Sequence, residues 1–211
     1  EETVAEGLTT FGPAGFTVGS DGSYNTNSAT YAAWQWKANG AGSSNTDGTI
    51  NTTATSANTT AGFSLVTYVG NGTSGATVGH GLGVVPNMII VKNRDQADAW
   101  QVYHSGNTDA PETDYLVLNT TAATVDNVNR WNDTAPTSSV FSLGNAVEVN
   151  TSGENYVAYC FADVEGYSKF GSYVGNGSTT LGPFIYTGFR PAYVLLKDPV
   201  TAVRAWWVFD S

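Results

Sequence analysis

Residues able to do chemistry are few in this chain, and they are scattered. His80 and His104 fall in separate blocks, whereas a catalytic pair needs both beside an activated nucleophile or a metal. No HExxH motif, Cys/His cluster or Gly-x-Ser-x-Gly elbow accompanies them. Both are therefore read as surface or strand-end histidines. Glu148 and Glu154 flank a hairpin turn, and two carboxylates held about 5–10 Å apart can hydrolyse a glycosidic bond. Asp109, Glu112 and Asp114 crowd one loop. Their oxygens suit a hard cation such as Ca²⁺, but without the alternate spacing of a calcium loop.

The Gly-rich pieces Gly70-Asn-Gly72 and Gly79-His-Gly-Leu-Gly83 read as turns rather than phosphate cradles, because no helix follows and no lysine closes them. Cys160 is the single cysteine. It lies in the alternating run Tyr156 to Ala162, as a buried or half-buried strand residue with no internal disulfide to form. Asn-x-Ser/Thr sequons begin at Asn51, Asn58, Asn71, Asn119, Asn132, Asn150 and Asn176. A chain so rich in Asn and Thr gives about that many by composition alone. No catalytic, cofactor-binding or metal-ligating set is assigned, and no cofactor is expected.

The elements that must position these residues come from a repeat. Phe16–Ala38 aligns with Phe141–Asp163 without a gap at an offset of 125, pairing Phe16/Phe141, Gly19/Gly144, Asn25/Asn150, Thr26/Thr151, Tyr31/Tyr156 and Ala33/Ala158. A second set runs at offset 105: Tyr68-Val-Gly-Asn-Gly72 with Tyr173-Val-Gly-Asn-Gly177, and Pro86–Lys92 with Pro191–Lys197. Ala99–Ser105 then matches Ala205–Ser211 at offset 106. The copies do not repeat the candidate chemistry. Glu148 and Glu154 become Ser23 and Ala29, His104 becomes Asp210, and His80 falls at about Ile185.

One unit is roughly 100 residues, and its order organises the chain. Residues 1–38 are expected to hold the terminal strands of a split module and 39–61 a Gly/Ser/Thr/Asn-rich linker. Residues 62–166 form a complete module, and 167–211 the first strands of the next or split one. A chain opening and closing inside a unit reads as a fragment of a longer polypeptide. The split module is expected to close within the chain or through neighbouring chains.

Runs rich in β-branched and aromatic residues, punctuated by Gly and Asn, predict an all-β protein. Strands are expected at 63–69, 76–80, 88–93, 100–104, 115–118, 140–143 and 156–162, a spacing that suits a two-sheet antiparallel β-sandwich. Met88 and Ile90 should share one face with their copies Tyr193 and Leu195, and the Trp and Tyr repeats are read as core. Eight basic residues against eighteen acidic ones argue against nucleic acid, whose affinity rests on neutralising phosphates. The same balance disfavours an anionic membrane surface. No run of about 20 apolar residues predicts membrane insertion.

Laid out this way, the chain resembles repeat-bearing virion structural proteins of marine tailed bacteriophages, of the tail-fibre kind. The resemblance rests on Gly62–Gly72, Val78–Pro86 with Ile89–Arg94, Trp100–His104, Trp131–Gly144, Tyr156–Phe161 and Gly166–Tyr173. It implies lectin-like jelly-roll modules on the surface of an extracellular particle, and carries no catalytic residues. The implied role is a fibre or spike for host-surface attachment, with copies of itself, other virion proteins and a cell-surface glycan as partners. Capsid decoration or filament formation, and hydrolysis of surface polysaccharide, are the alternatives.

Overall fold

The computed structural model describes residues 6–211, and these divide into two compact units, the first ending at Trp36 and the second running from Lys37 to Ser211. In the first unit β1 (Leu8–Gly12) pairs antiparallel with β2 (Gly15–Val18), setting Phe11 opposite Phe16 and Leu8 opposite Val18. The single helical turn α1 (Gly22–Asn25) follows, its first turn capped by Asp21, whose side chain accepts from Ser23 N at 2.7 Å. Gly19 has no room for a side chain, because a Cβ there would stand 2.2 Å from Glu6 O.

The second unit is built on a seven-stranded antiparallel sheet. Its members are β3 (Ala54–Asn58), β4 (Phe63–Val69), β6 (Met88–Asn93), β7 (Gln101–His104), β8 (Asp114–Val117), β9 (Val125–Asp126) and β11 (Asn155–Phe161). They lie in the order β3-β4-β11-β6-β7-β8-β9. β11, the last of these seven in sequence, thus lies inside the sheet between β4 and β6. β11 pairs with β4 from Asn155↔Val69 to Phe161↔Phe63, and with β6 from Tyr156↔Asn93 to Phe161↔Met88. A two-stranded ribbon of β5 (Ala76–Gly79) and β10 (Val140–Leu143) forms the second layer, with the helical turns α2 (Val128–Trp131) and α3 (Val147–Asn150).

The core lies between these layers. From the large sheet come Val66, Tyr68, Ile89, Val91, Tyr103, Tyr156 and Cys160, and from the covering layer Val78, Phe141, Leu143, Val149 and Trp131, all buried. Each large apolar side chain so buried is worth about 1.5–3 kcal/mol. The other face of the sheet carries Met88, Val102 and Leu116 with Ile90 against them, so Met88 and Ile90 share a face with Leu195 as the alternation predicts. Phe170, Leu195 and Trp206 cover it. The last two belong with the hairpin β12 (Tyr193–Leu196) and β13 (Trp207–Asp210). Trp206 Nε1 donates to Val117 O at 2.9 Å, and Thr124 N to Pro199 O at 2.7 Å, so this hairpin is seated on the outer face.

The all-β antiparallel sandwich is as expected, and all seven strands predicted for the complete module appear. Two expectations change. Segment 39–61, expected as a linker, supplies the edge strand β3, the buried Ile50 and a bridge from Ile50 to Val78. Its Ser and Thr hydroxyls serve the ladder's fringe, as where Ser56 Oγ bridges Asn39 N and Gly40 O at 2.8 Å each.

The second change is that repeated blocks do not all become strands. Residues 30–36, the copy of β11, and 168–174, the copy of β4, lie outside any strand. In the complete module these two pair with each other and with further strands on both sides. A strand without such partners leaves its backbone donors and acceptors unmet by a ladder.

Candidate functional site: a clamp that recurs along the chain

The structure separates the residues with catalytic potential. His80 is buried at the end of β5: Leu82 N donates to Nδ1 at 3.2 Å, which leaves Nε2 to donate to Thr137 O at 3.1 Å. His104 is half-buried at the end of β7, on the outer face against Phe170, with Nδ1 accepting from Gly106 N at 3.0 Å. Both are strand-end histidines, but neither is a surface residue. Burial holds both below the ordinary imidazole value. Each ring is neutral and committed to its own loop, and the two sit on different faces of the large sheet.

The carboxylates are committed as well. Glu148 makes an ion pair with Arg130 Nη2 at 2.9 Å. Arg130 is itself buried, donating from Nε to Gln101 Oε1 at 3.0 Å and lying 4.7 Å above the Tyr115 ring. Glu154 accepts from Asn93 Nδ2 at 2.6 Å and from Gln96 Nε2 at 3.3 Å. In the Asp109/Glu112/Asp114 loop, Asp114 is buried and bound by the Thr108 hydroxyl, while Asp109 points to solvent. Among the described residues no three His, Cys, Asp or Glu side chains are grouped to hold a metal ion. Cys160 is fully buried in β11, as its alternating run suggests, and burial pushes its thiol far up. The sequon at Asn150 is buried too, so the folded chain offers it to no glycosyl transfer.

What the fold does assemble is a clamp around Asn150 and Tyr156. Asn150 Nδ2 donates to Thr73 O at 3.0 Å and Gly144 O at 2.9 Å, while Oδ1 accepts from Asn71 N at 2.9 Å. This ties the Gly-Asn-Gly turn to the end of α3. Gly70 must be glycine here, since a Cβ would stand 2.3 Å from Thr151 O. The Tyr156 hydroxyl accepts from Thr151 N at 2.8 Å and donates to Val147 O, closing the helical turn. The Tyr68 hydroxyl donates to Val149 O at 2.7 Å. Its ring stacks on Tyr156 with centroids 5.2 Å apart and meets Phe141 edge-on at 6.4 Å. Burial raises both phenols above their ordinary value, so they remain neutral donors.

The first unit repeats the local half of this clamp. Asn25 Nδ2 donates to Gly19 O at 2.8 Å, and the Tyr31 hydroxyl accepts from Thr26 N at 2.9 Å and donates to Gly22 O at 3.1 Å. Every one of these bonds is the 125-residue translation of a bond in the complete module.

The C-terminal copy repeats the other half. Asn176 Oδ1 accepts from Ser178 N at 3.0 Å as Asn71 Oδ1 does from Thr73 N at 2.9 Å. Asp198 Oδ1 accepts from Val200 N and Thr201 N at 2.9 Å each, as Asn93 Oδ1 does from Asp95 N and Gln96 N at 3.0 and 3.3 Å. Lys197 and Lys92 each fold back onto carbonyls of the loop that follows them. The β12–β13 register, Tyr193↔Asp210 to Leu196↔Trp207, is that of β6–β7, Met88↔His104 to Val91↔Gln101.

Sequence reasoning finds Asn25/Asn150 and Tyr31/Tyr156 as identities but not their role. It misses Arg130 and Asn93, the first because no copy of α2 is conspicuous, the second because Asp198 replaces it. The only legible signal is that these polar residues recur in register with the aromatic ones.

These features define a class: β-sandwich proteins built by repetition, with a structural clamp as the copied constellation. The chain belongs to the family described as "Domain of unknown function (DUF7483)", which matches residues 1–211. No curated protein and no solved structure matches it. No helix among the described residues is long and apolar enough to cross a membrane.

Proposed function

We propose that this chain is a non-catalytic component of a virion, a fibre or spike of repeated β-sandwich modules on the particle surface that attaches to host-surface glycans. One observation carries the reading. The local bonds, Asn150 to Gly144 O and the Tyr156 hydroxyl to Thr151 N and Val147 O, are each kept in the first unit, while Glu148 and Glu154 give way to Ser23 and Ala29. A repeat that copies its framework and varies its carboxylates is spent on architecture. The resemblance to phage virion proteins supplies the particle, and the charge-poor Ser/Thr/Asn-rich composition suits a surface in contact with the medium. Attachment would fall to loops at the sandwich ends, where a rigid scaffold presents variable residues.

The test is binding. The recombinant chain on a glycan array and in a host-cell pull-down is expected to retain a defined glycan class, and retention of none would overturn attachment. A second reading, a filament or capsid-decoration subunit, is favoured by core residues whose copies are exposed. Antibody against the chain, imaged on intact particles, separates a tail position from a capsid position.

A further inference from the structure

Beside the seat of the hairpin β12–β13 on the large sheet lies a hollow of about 320 Å³. Its walls are Leu118, Asn119, Thr120 and Thr121, which follow β8, and Ala205 and Trp206, which precede β13. Both walls are held from behind. Trp206 packs onto the cluster of Met88, Val102 and Leu116, and its Nε1 donates to Val117 O at 2.9 Å. Leu118 N donates to Trp100 O at 3.1 Å, and Asn119 Oδ1 accepts from Trp100 N at 3.1 Å. That bond orients the Asn119 amide and leaves its Nδ2 to donate. Indole and amide thus stand in place beforehand, which spares a ligand the cost of ordering them.

The chemistry of the lining is narrow. It has one indole, the aliphatic side chains of Leu118 and Ala205, one amide, the hydroxyls of Thr120 and Thr121, and no charged group. With Nε1 spent on Val117 O, the indole offers an aromatic surface and no donor. A pyranose ring matches this set. Its C–H face is apolar enough to lie on a π-system, while its hydroxyls donate to and accept from amide and Thr side chains. Volume limits the ligand further. Small-ligand sites run from about 300 to 1,000 Å³, so this hollow takes a single sugar ring. Charge limits it too, because eighteen acidic residues against eight basic ones repel an anionic sugar, and the lining offers it no cation.

We infer that the hollow binds one neutral hexopyranose unit of a cell-surface glycan, its C–H face on the Trp206 indole and its hydroxyls against Asn119 Nδ2 and Thr121 Oγ1. This deepens the reading of the chain as a glycan-attachment protein and rests on it. Asn119, Thr120, Thr121 and Ala205 are all exposed, so a sugar at the end of a longer glycan enters without displacing any part of the fold. The same openness keeps the contact weak. A single ring in an open hollow is worth a Kd of about 1–10 mM, and firm attachment comes from many copies engaging one surface.

The experiment is an NMR titration of the isotopically labelled 211-residue chain. The methyl glycosides of glucose, galactose and mannose are each added up to about 50 mM, several times that Kd. At least one of them is expected to shift the indole N–H resonance of Trp206 together with the amides of residues 119–121. Glucuronic acid at the same concentration is expected to shift none of these. Thr121→Val removes one hydroxyl from the exposed wall and should raise Kd about fivefold, the worth of one hydrogen bond. Ala205→Arg projects a long side chain into the hollow and should abolish the shifts. Ala202→Arg, which adds the same charge at an exposed position outside the hollow, should leave them intact.

Equal binding by Ala205→Arg and Ala202→Arg would overturn the inference, as would shifts that map elsewhere or no shift with any of the three glycosides. Glucuronic acid binding as well as the neutral sugars would overturn the ligand class. On a glycan array, retention of Ala205→Arg as firm as that of the unaltered chain refutes the hollow and leaves attachment standing. Retention of neither refutes attachment, and the titration still decides the hollow by itself.

Discussion

Tyr156 shows how one hydroxyl is worth a helical turn. α3 is four residues long and has no side-chain cap at its start, far short of the length at which a helix is stable by itself. The phenol closes it by taking Thr151 N and giving to Val147 O. Tyr156→Phe keeps the ring stack on Tyr68 but leaves both backbone groups without that partner in a buried setting. We expect a loss of about 1–3 kcal/mol in urea unfolding, the cost of orphaned buried polar groups. The same change at Tyr31, where the bonds are alike but the ring is half-exposed, should cost a fraction of that, because water replaces the lost hydroxyl. Equal losses at the two positions would show that the local bonds rather than their burial set the energy.

The element whose fate differs most between copies is β11. Tyr156–Phe161 and Tyr31–Trp36 share their pattern of aromatic and small residues, yet the first is a central strand with a ladder on each side and the second is no strand. Amide exchange reports this directly. In dilute monomeric chain the β11 amides should be among the slowest to exchange. Those of 31–36 should be faster by on the order of a thousandfold, the gap between global and local opening. The neighbouring turns do not depend on a ladder, since the bonds of Asn25 and Asn176 span only five or six residues.

For the molecule as a whole, the response to acid follows from which groups the fold has buried. His80 and His104 are held below the ordinary imidazole value by burial. A group with a lowered folded value binds more protons when unfolded, so its contribution is complete above about pH 6.5 and is lost as pH falls through the folded values. Asp95, lowered by the backbone and side chain of Asn155, and Asp198, lowered by the backbone of Thr201, act in the same sense below about pH 3.9.

Acid destabilisation should therefore begin between pH 6.5 and 5, well above the carboxylate range and while the net charge is still negative. The urea midpoint measured at pH 7.5, 6 and 5 should fall. It should stay nearly level over that range in the His80→Gln, His104→Gln double variant. A steep fall persisting in that variant would assign the effect to other groups.

Much of this protein is legible without coordinates. The strands of the complete module follow from alternating β-branched and aromatic runs between Gly and Asn, and the turn devices at Asn71, Asn176 and Tyr31 follow from residues close in the chain. Short-range bonds form wherever their sequence occurs, which is why they are identical in every copy. Contacts across long separations were not legible: Arg130 bridging Gln101 and Glu148, or Ser and Thr of 39–61 edging the large sheet. Nor could alternation tell which copies of β4 and β11 become strands, because a strand exists only when the chain brings a ladder partner to its edge, and that partner lies about 90 residues away in β11 and β4.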